Sequence, residues 1–521
     1  MKIDRRALFL LPSMGAVLAG CPDNTTGDDA FVTPMADAFV ATEDAFMPPG
    51  TDAGRDAFVA PDAFMEPGTD AGTDAFVEAD AFVPGDAGPP PLPAIVNPMP
   101  HTVPASATGH DRFYAVTFAP DSSFYVTGVR AAGTDAATND YETVVAHFGA
   151  DGELDTTFGT DGWFVRNLAV GLAGEIARGI TLQSDGKIVV AATVEHVATG
   201  ADTRDRDIAL FRLNTDGTLD DTFGTDGVEL IDLTDGEALP APSTAYVADS
   251  AWNVRADAMD RLVVAVGPKR TGGTDTDFGV LRLLPDGERD TTFGTGGLYQ
   301  RDIANVNASV RSLELLPEGR ISLAGYYSEG GSVRPVILVL DSTGAPVTSF
   351  GTMGLYTEVV LTTQVEAYDA VLQGGSFVTA GYGREEAMGD NDFISLRVDA
   401  TTGVRDLTYG TGGYALLGGY DFSDNARGLV VLPDQRILMI GGLRTATSEA
   451  DGALVLMTRD GVFDTTFGDD GVQLINTSAG TVDHLWGVDV DPRGERVVVV
   501  GIGGTDPATN DNGLVYLFPV P

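Results

Sequence analysis

From residue 94 to the end, the chain alternates short apolar runs with turns rich in Gly, Asp and Asn, and the runs come in pairs. They read Tyr114–Pro120 with Phe124–Val129, Gly179–Gln183 with Lys187–Ala192, Val254–Ala258 with Arg261–Gly267 and Leu313–Pro317 with Arg320–Gly325. Three more follow: Tyr368–Leu372 with Ser376–Gly381, Gly428–Pro433 with Arg436–Gly441 and Gly487–Asp491 with Arg496–Gly501. Asp185-Gly186 is a hairpin turn, and β-branched runs such as Ile188-Val189-Val190 form strands, so each pair predicts a β-hairpin. A third strand, usually opened by an acid, follows each hairpin: Glu142–Phe148, Asp207–Leu213, Asp277–Leu283, Arg334–Leu340, Asp392–Val398, Asp451–Met457 and Asp511–Phe518.

After six of these strands comes a turn Gly and, six residues later, an aromatic: Phe158, Phe223, Phe293, Phe350, Tyr409 and Phe467. A further Gly then introduces a fourth strand. The aromatics lie 65, 70, 57, 59 and 58 residues apart, so the period is near sixty. Seven such units without helical periodicity predict an all-β, seven-bladed β-propeller over residues 94–521, in which small sheets stack around a ring. The repeated aromatic is expected to wedge between adjacent blades. Seven hairpins, seven third strands and six fourth strands leave one blade short. Only residues 94–104, containing Ala94-Ile95-Val96, remain to supply the missing strand, and Pro98, Pro100 and Pro104 limit it to a short or edge strand. Chain order places this segment before the first hairpin, so the first blade is expected to be incomplete without it, and the first and last blades must then meet at one seam.

Leu154-Asp155-Thr156-Thr157-Phe158-Gly159, Ser184-Asp185-Gly186-Lys187-Ile188-Val189-Val190 and Asp207-Ile208-Ala209-Leu210-Phe211-Arg212-Leu213 resemble the hallmark segments of the delta-60 repeat family of bacterial β-propellers. The fourth repeat departs from the pattern at Val347-Thr348-Ser349-Phe350, and Tyr409 replaces Phe in the fifth. The resemblance implies an extracytoplasmic scaffold or binding domain.

The N-terminus has a different grammar. Lys2, Arg5 and Arg6 precede an apolar run to Leu18, which fits an export signal and is too short for a permanent span. The run ends in Leu18-Ala19-Gly20-Cys21, which resembles the lipobox of bacterial lipoproteins, and Cys21 is the sole cysteine. Residues 1–21 are therefore a lipoprotein signal peptide, with Cys21 the expected lipid attachment site; Arg5-Arg6 also resembles a twin-arginine signal. Pro22 stands where an inner-membrane retention Asp would, so the expected address is the bacterial envelope, lipid-anchored, at the outer membrane. Residues 22–93 carry seven copies of Asp-Ala-Phe among Pro, Gly and Thr. Fifteen acids against Arg55 and no surviving periodicity predict a disordered, acidic, low-complexity tether.

Charge narrows the partners. With 31 Lys+Arg against 76 Asp+Glu, the net charge of −45 excludes a nucleic-acid partner, which requires a basic surface. No nucleophile elbow, zinc motif or other catalytic constellation emerges, so no catalytic residue is assigned. Asp205/Asp207, Asp275/Asp277 and Asp390/Asp392, paired before the third strands, offer the oxygens that Ca²⁺ takes, or else they satisfy local backbone donors as Asx turns. Trp163, Trp252, Trp486 and His484 break the repeat pattern and suggest a blade-specific site. The expected function is a monomeric, membrane-anchored binding or scaffold module for an envelope protein or polysaccharide. Two alternatives stand beside it: a polysaccharide-acting hydrolase or lyase, and a calcium-stabilised adhesin.

Overall fold

The structure is a computed structural model. It describes residues 91–521 apart from 98, 104, 106–110, 132–140, 169–174, 197–204, 235, 239–245, 271–274, 387–388, 419–423, 447–448, 478–481 and 507–509. The signal, Cys21 and the Asp-Ala-Phe tract lie outside the described residues.

Seven antiparallel four-stranded sheets follow one another along the chain. In the second, Ile176–Leu182 pairs with Ile188–His196, then Asp205–Leu213, then Val228–Ile231. The innermost strands of successive sheets touch, and the first, Arg112–Phe118, meets the last, His484–Val490, so the sheets close into a seven-bladed β-propeller. Blades four and five are also joined by a parallel pairing of Val333 with Gln364.

Closure uses the N-terminal segment, as the strand count requires. His101–Val103 pairs antiparallel with the third strand of blade seven, His101 opposite Val515 and Val103 opposite Gly513. Two details differ from the sequence reading. The strand forms at 101–103 and not at Ala94-Ile95-Val96, and the blade it completes is the seventh, since the first has four strands of its own. Ile95 instead packs against the cluster shared by blades one and seven, and the Val96 amide donates to Asp151 O at 2.9 Å. At the same seam Arg496 reaches the carbonyls of Pro93 and Ala150.

The repeated aromatics do wedge between blades. Phe158, Phe223, Phe293, Phe350 and Tyr409 are at most 1% exposed. Phe158, Phe223, Phe293 and Tyr409 lie with their rings under the turn glycine of the following blade: a Cβ on Gly287 would come within 3.0 Å of the Phe223 ring, and on Gly344 within 2.9 Å of Phe293. These glycines also hold positive φ, +96° and +85°, so a side chain there is excluded twice. The next Gly along donates across the same gap, Gly224 N to Asp286 O and Gly294 N to Thr343 O, both at 2.9 Å. An Arg from the third strand covers the ring, Arg212 over Phe223 at 4.9 Å and Arg282 over Phe293 at 4.4 Å. Its Nε donates to the repeat Asp, Arg282 to Asp290 at 2.8 Å, while Nη1 crosses to the next blade at Ser342 O, 2.6 Å. The Tyr409 substitution is accommodated by a 2.8 Å hydrogen bond between its hydroxyl and that of Ser395. Phe467 is only half-buried, at the margin of the core cluster of blades six and seven.

Phe293→Ala should cost ~3–5 kcal/mol, the usual range for an emptied core aromatic site, and Phe467→Ala clearly less; urea midpoints compare the two. Deleting residues 94–104 should strip the edge of Asn510–Pro519 and promote aggregation, whereas deleting 22–92 should leave light scattering unchanged.

Candidate functional site

Each innermost strand contains one irregularity, and all seven fall at the same place in the repeat. Register shifts occur between Phe113 and Ala115, Ala177 and Gly179, Ala251 and Asn253, and Val310 and Ser312. The others lie between Ala367 and Asp369, Ala426 and Gly428, and Leu485 and Gly487. A β-bulge leaves one residue unpaired and re-aims its side chain. The seven residues so freed are Tyr114, Arg178, Trp252, Arg311, Tyr368, Arg427 and Trp486, all at most 5% exposed.

They alternate aromatic and cationic around the ring. The Arg178 guanidinium lies 4.2 Å from the Trp252 ring centroid, and Arg311 lies 3.9 Å from Trp252 and 4.9 Å from Tyr368. Arg427 lies 4.4 Å from Tyr368 and 5.1 Å from Trp486. Trp486 meets Tyr114 edge-on at 5.8 Å, and Tyr114 couples electrostatically to Arg178, which closes the circuit. The axis of the propeller is thus filled by interlocked cation–π pairs, each of which contributes ~0.5–2 kcal/mol. Burial, with Tyr114 opposing it and Arg311 and Arg206 adding to it, lowers the Arg178 guanidinium to about 9.

This ring corrects the blade-specific reading of the tryptophans. Trp252 and Trp486 occupy equivalent positions in their repeats and do not break the pattern. His484 does stack on Trp486, at 4.5 Å, and burial with the nearby Arg427 lowers it to about 3, which keeps the imidazole neutral. Trp163 stands apart, stacked on Phe113.

Below the ring, side chains stitch neighbouring inner strands. Glu314 accepts Leu372 N–H at 2.7 Å, Asp489 accepts Phe118 N–H at 2.9 Å, Asp369 accepts Leu429 N–H at 3.2 Å and Thr181 accepts Ala256 N–H at 3.2 Å. Above it, Asp111, Glu175, Asp249, Asp424 and Asp483 are fully buried three residues before a ring residue. Asp249 holds the amides of Leu233, Thr234 and Lys269 at 2.8–2.9 Å. Asp424 accepts Arg444 N–H at 2.8 Å through Oδ1, but its Oδ2 has no partner.

The acid pairs expected to hold Ca²⁺ lie at the same end of the blades, and they differ from one another. Asp205 is occupied by backbone donors, accepting Gly236 N–H at 2.6 Å and Arg206 N–H at 2.9 Å, and Asp207 is buried. Asp390 and Glu385 crowd Asp392, which burial pushes up to about 6; no third carboxylate joins that pair at ligand distance among the described residues. Asp275 and Asp277 do gain a third, Asp302, with ligand atoms from all three within 4.8 Å of one another. Sequence spacing alone does not reveal Asp302. The sheet register does, because Phe278 pairs with Arg301 and so sets Asp302 beside Asp277.

The fold defines a seven-bladed β-propeller. Residues 183–223 and 261–293 match a family model described as a β-propeller domain of unknown function, DUF5122. No curated protein matches the chain. Among solved structures it is similar to the Hadza microbial sialidase Hz136 (12% identity, 81% of this chain and 68% of that one, TM-score 0.40). It is similar to the β-propeller domain of the Trilobed protease from Pyrococcus furiosus (11% identity, 78% and 97%, TM-score 0.37). It is also similar to a polysaccharide lyase (10% identity, 80% and 91%, TM-score 0.43).

Two sets of acids should shape stability in separate pH windows. Burial, reinforced by Asp392 and Asp390, raises Asp424 to about 7, and burial raises Asp249 to about 6 against its backbone donors. A raised acid stabilises the fold while protonated, so its contribution is whole below about pH 4 and is lost as pH rises through 6–7, at up to ~1.4 kcal/mol per pH unit for each group. Asp406 is opposite: the Thr408 hydroxyl and amide, with Arg397, hold it down to about 2, so its contribution is present above about pH 4 and lost in stronger acid. Asp424→Asn should flatten the decline in melting temperature between pH 5 and 8 and leave the acid limb unchanged.

Proposed function

We propose that this chain is an envelope-anchored binding module of the delta-60 propeller type, which meets its ligand through the face where the second and third strands are joined. The observation that carries the reading is the filled axis. The seven ring side chains are buried against one another by cation–π and aromatic contacts, whereas the unlike acids, Asp205/Asp207, Asp275/Asp277/Asp302 and Asp390/Asp392, gather on one rim beside the starts of the third strands. A ligand that docks there meets a strongly anionic, blade-specific surface on a rigid ring. Envelope polysaccharide and envelope protein are the partner classes that fit the proposed address.

The address rests on the N-terminal residues. Diacylation at Cys21 supports stable membrane attachment, since one acyl chain binds only marginally and two suffice. The acidic tract 22–93 then holds the propeller off an anionic lipid surface by length and charge. No helix among the described residues is long and apolar enough to cross a membrane.

Cys21→Ala should move the protein from the membrane fraction to the soluble one. Retention of the variant through detergent-free washing would overturn the anchoring. The soluble variant then serves in a binding screen against envelope polysaccharides and envelope extracts; turnover of a polysaccharide in that screen would favour the hydrolase or lyase reading instead.

A further inference from the structure

Blade three differs from its neighbours in what its register brings together. Lys269 pairs with Thr276 and Phe278 with Arg301, so the end of the second strand, the start of the third and the end of the fourth converge. The converging side chains are Arg270, Asp275, Asp277 and Asp302. In blade six the equivalent of Asp302 is Asn476, whose amide donates to Asp451 at 2.6 Å and satisfies it. In blade five it is Gly418. In blade two, Asp232 takes the place and Asp207 faces it, but Asp205 is diverted to the Gly236 amide.

Asp277 supplies the second observation. It is 2% exposed, Gln300 Nε2 donates to its Oδ2 at 2.8 Å, and its Oδ1 is buried with no hydrogen-bond partner. A buried carboxylate oxygen without a partner is costly, and here it stands beside two more carboxylates. A cation stands against the cluster, Arg270, whose Nη1 lies 3.5 Å from Asp275 and 3.3 Å from Asp302. Those distances exceed a charge-assisted hydrogen bond, and no contact reaches Asp277 Oδ1. Three negative charges thus face one loosely held guanidinium.

We propose that Asp275, Asp277 and Asp302 form a divalent-cation site suited to Ca²⁺, and that the ion competes with Arg270 for it. Ca²⁺ is a hard ion that accepts carboxylate oxygens in flexible geometry and completes its shell with water, which suits one buried and two more accessible carboxylates. Arg270 makes the site exchangeable: without the ion the guanidinium holds the rim together, and with it the guanidinium is released to solvent. The site is specific to blade three, so it would mark one sector of an otherwise repetitive rim. The inference does not depend on what the rim binds.

Terbium is the probe, with Trp252 as donor, because its indole and the Asp277 carbonyl both border Gly267. In the soluble Cys21→Ala protein, a saturable class of terbium luminescence should appear and be displaced by calcium. Asp277→Asn should weaken that class at least tenfold. Asp302→Asn, altering an exposed residue, should do the same without the risk of a disturbed core. Arg270→Gln decides between a cation site and a plain ion-pair cluster: removal of a competitor should tighten calcium binding several-fold. If Arg270→Gln leaves the affinity unchanged or weakens it, or if Asp302→Asn titrates like its parent, the site is refuted.

Discussion

Seven strands that meet on one axis face a geometric problem: their innermost edges do not hydrogen-bond to one another as a sheet, and the space they enclose must be filled by side chains. This propeller solves it with one bulge per blade, at Tyr114, Arg178, Trp252, Arg311, Tyr368, Arg427 and Trp486. Each bulge frees one large side chain for the axis. Alternation of Arg with an aromatic lets three cations be buried near one another, because each sits over π-faces that offset its lost hydration. Seven is odd, however, so strict alternation must fail once. It fails between Trp486 and Tyr114, where blade seven meets blade one, and two aromatics pack edge to face there instead. The chemical irregularity of the ring and the covalent break in the ring of blades coincide.

At that seam the His101–Val103 strand supplies by pairing what the other blades obtain from chain continuity. Elsewhere, blade-to-blade attachment depends on a device repeated near the opposite end of the sheets: a buried aromatic, a covering Arg, a turn Gly from the next blade and an amide crossing the gap. Axis and wedge act at different radii, so they resist different deformations. The axial ring fixes the spacing of the inner strands, and the wedges fix the angle between sheets. Phe467, the wedge that precedes blade seven, is the one of the six that is only half-buried.

The hairpins, the third strands and the wedge aromatics were legible in the sequence because each repeats with a constant chemical type. The ring was not, and the reason is instructive. Its position is as constant as that of the wedge, but the residue alternates between Arg and Tyr or Trp from one repeat to the next, so a search for identity sees Trp252 and Trp486 as exceptions. A search for complementarity between consecutive repeats would have found the position. Asp302 was hidden differently, because it lies 25 residues beyond Asp277 and only the antiparallel register brings the two together. The closing strand was expected from the count of strands, yet its placement at 101–103 and not at Ala94-Ile95-Val96 depended on the register with Val515.

The distribution of the arginines bears on the surface as well as the core. Residues 94–521 contain 27 basic side chains against 60 acidic ones, already a large excess. Several of the basic groups are not available to solvent: Arg178, Arg311 and Arg427 are sealed in the axis, while Arg212 and Arg282 are buried over the wedge aromatics. The acids paired with Arg212 and Arg282, Asp220 and Asp290, are buried with them, and the three axial cations lie against aromatic faces. Acids are buried in greater number still, Asp111, Glu175, Asp249, Asp369, Asp424, Asp483 and Asp489 among them, so the surface carries a smaller excess than the sequence totals but remains strongly anionic. Such a field concentrates cations at the rim under any salt condition that leaves the Debye length longer than the spacing between carboxylates. General attraction cannot distinguish one blade from another, though. Distinction between blades requires a place where the register gathers three carboxylates at ligand distance around a buried, unsatisfied oxygen, and among the described residues the group Asp275, Asp277 and Asp302 of blade three is that place.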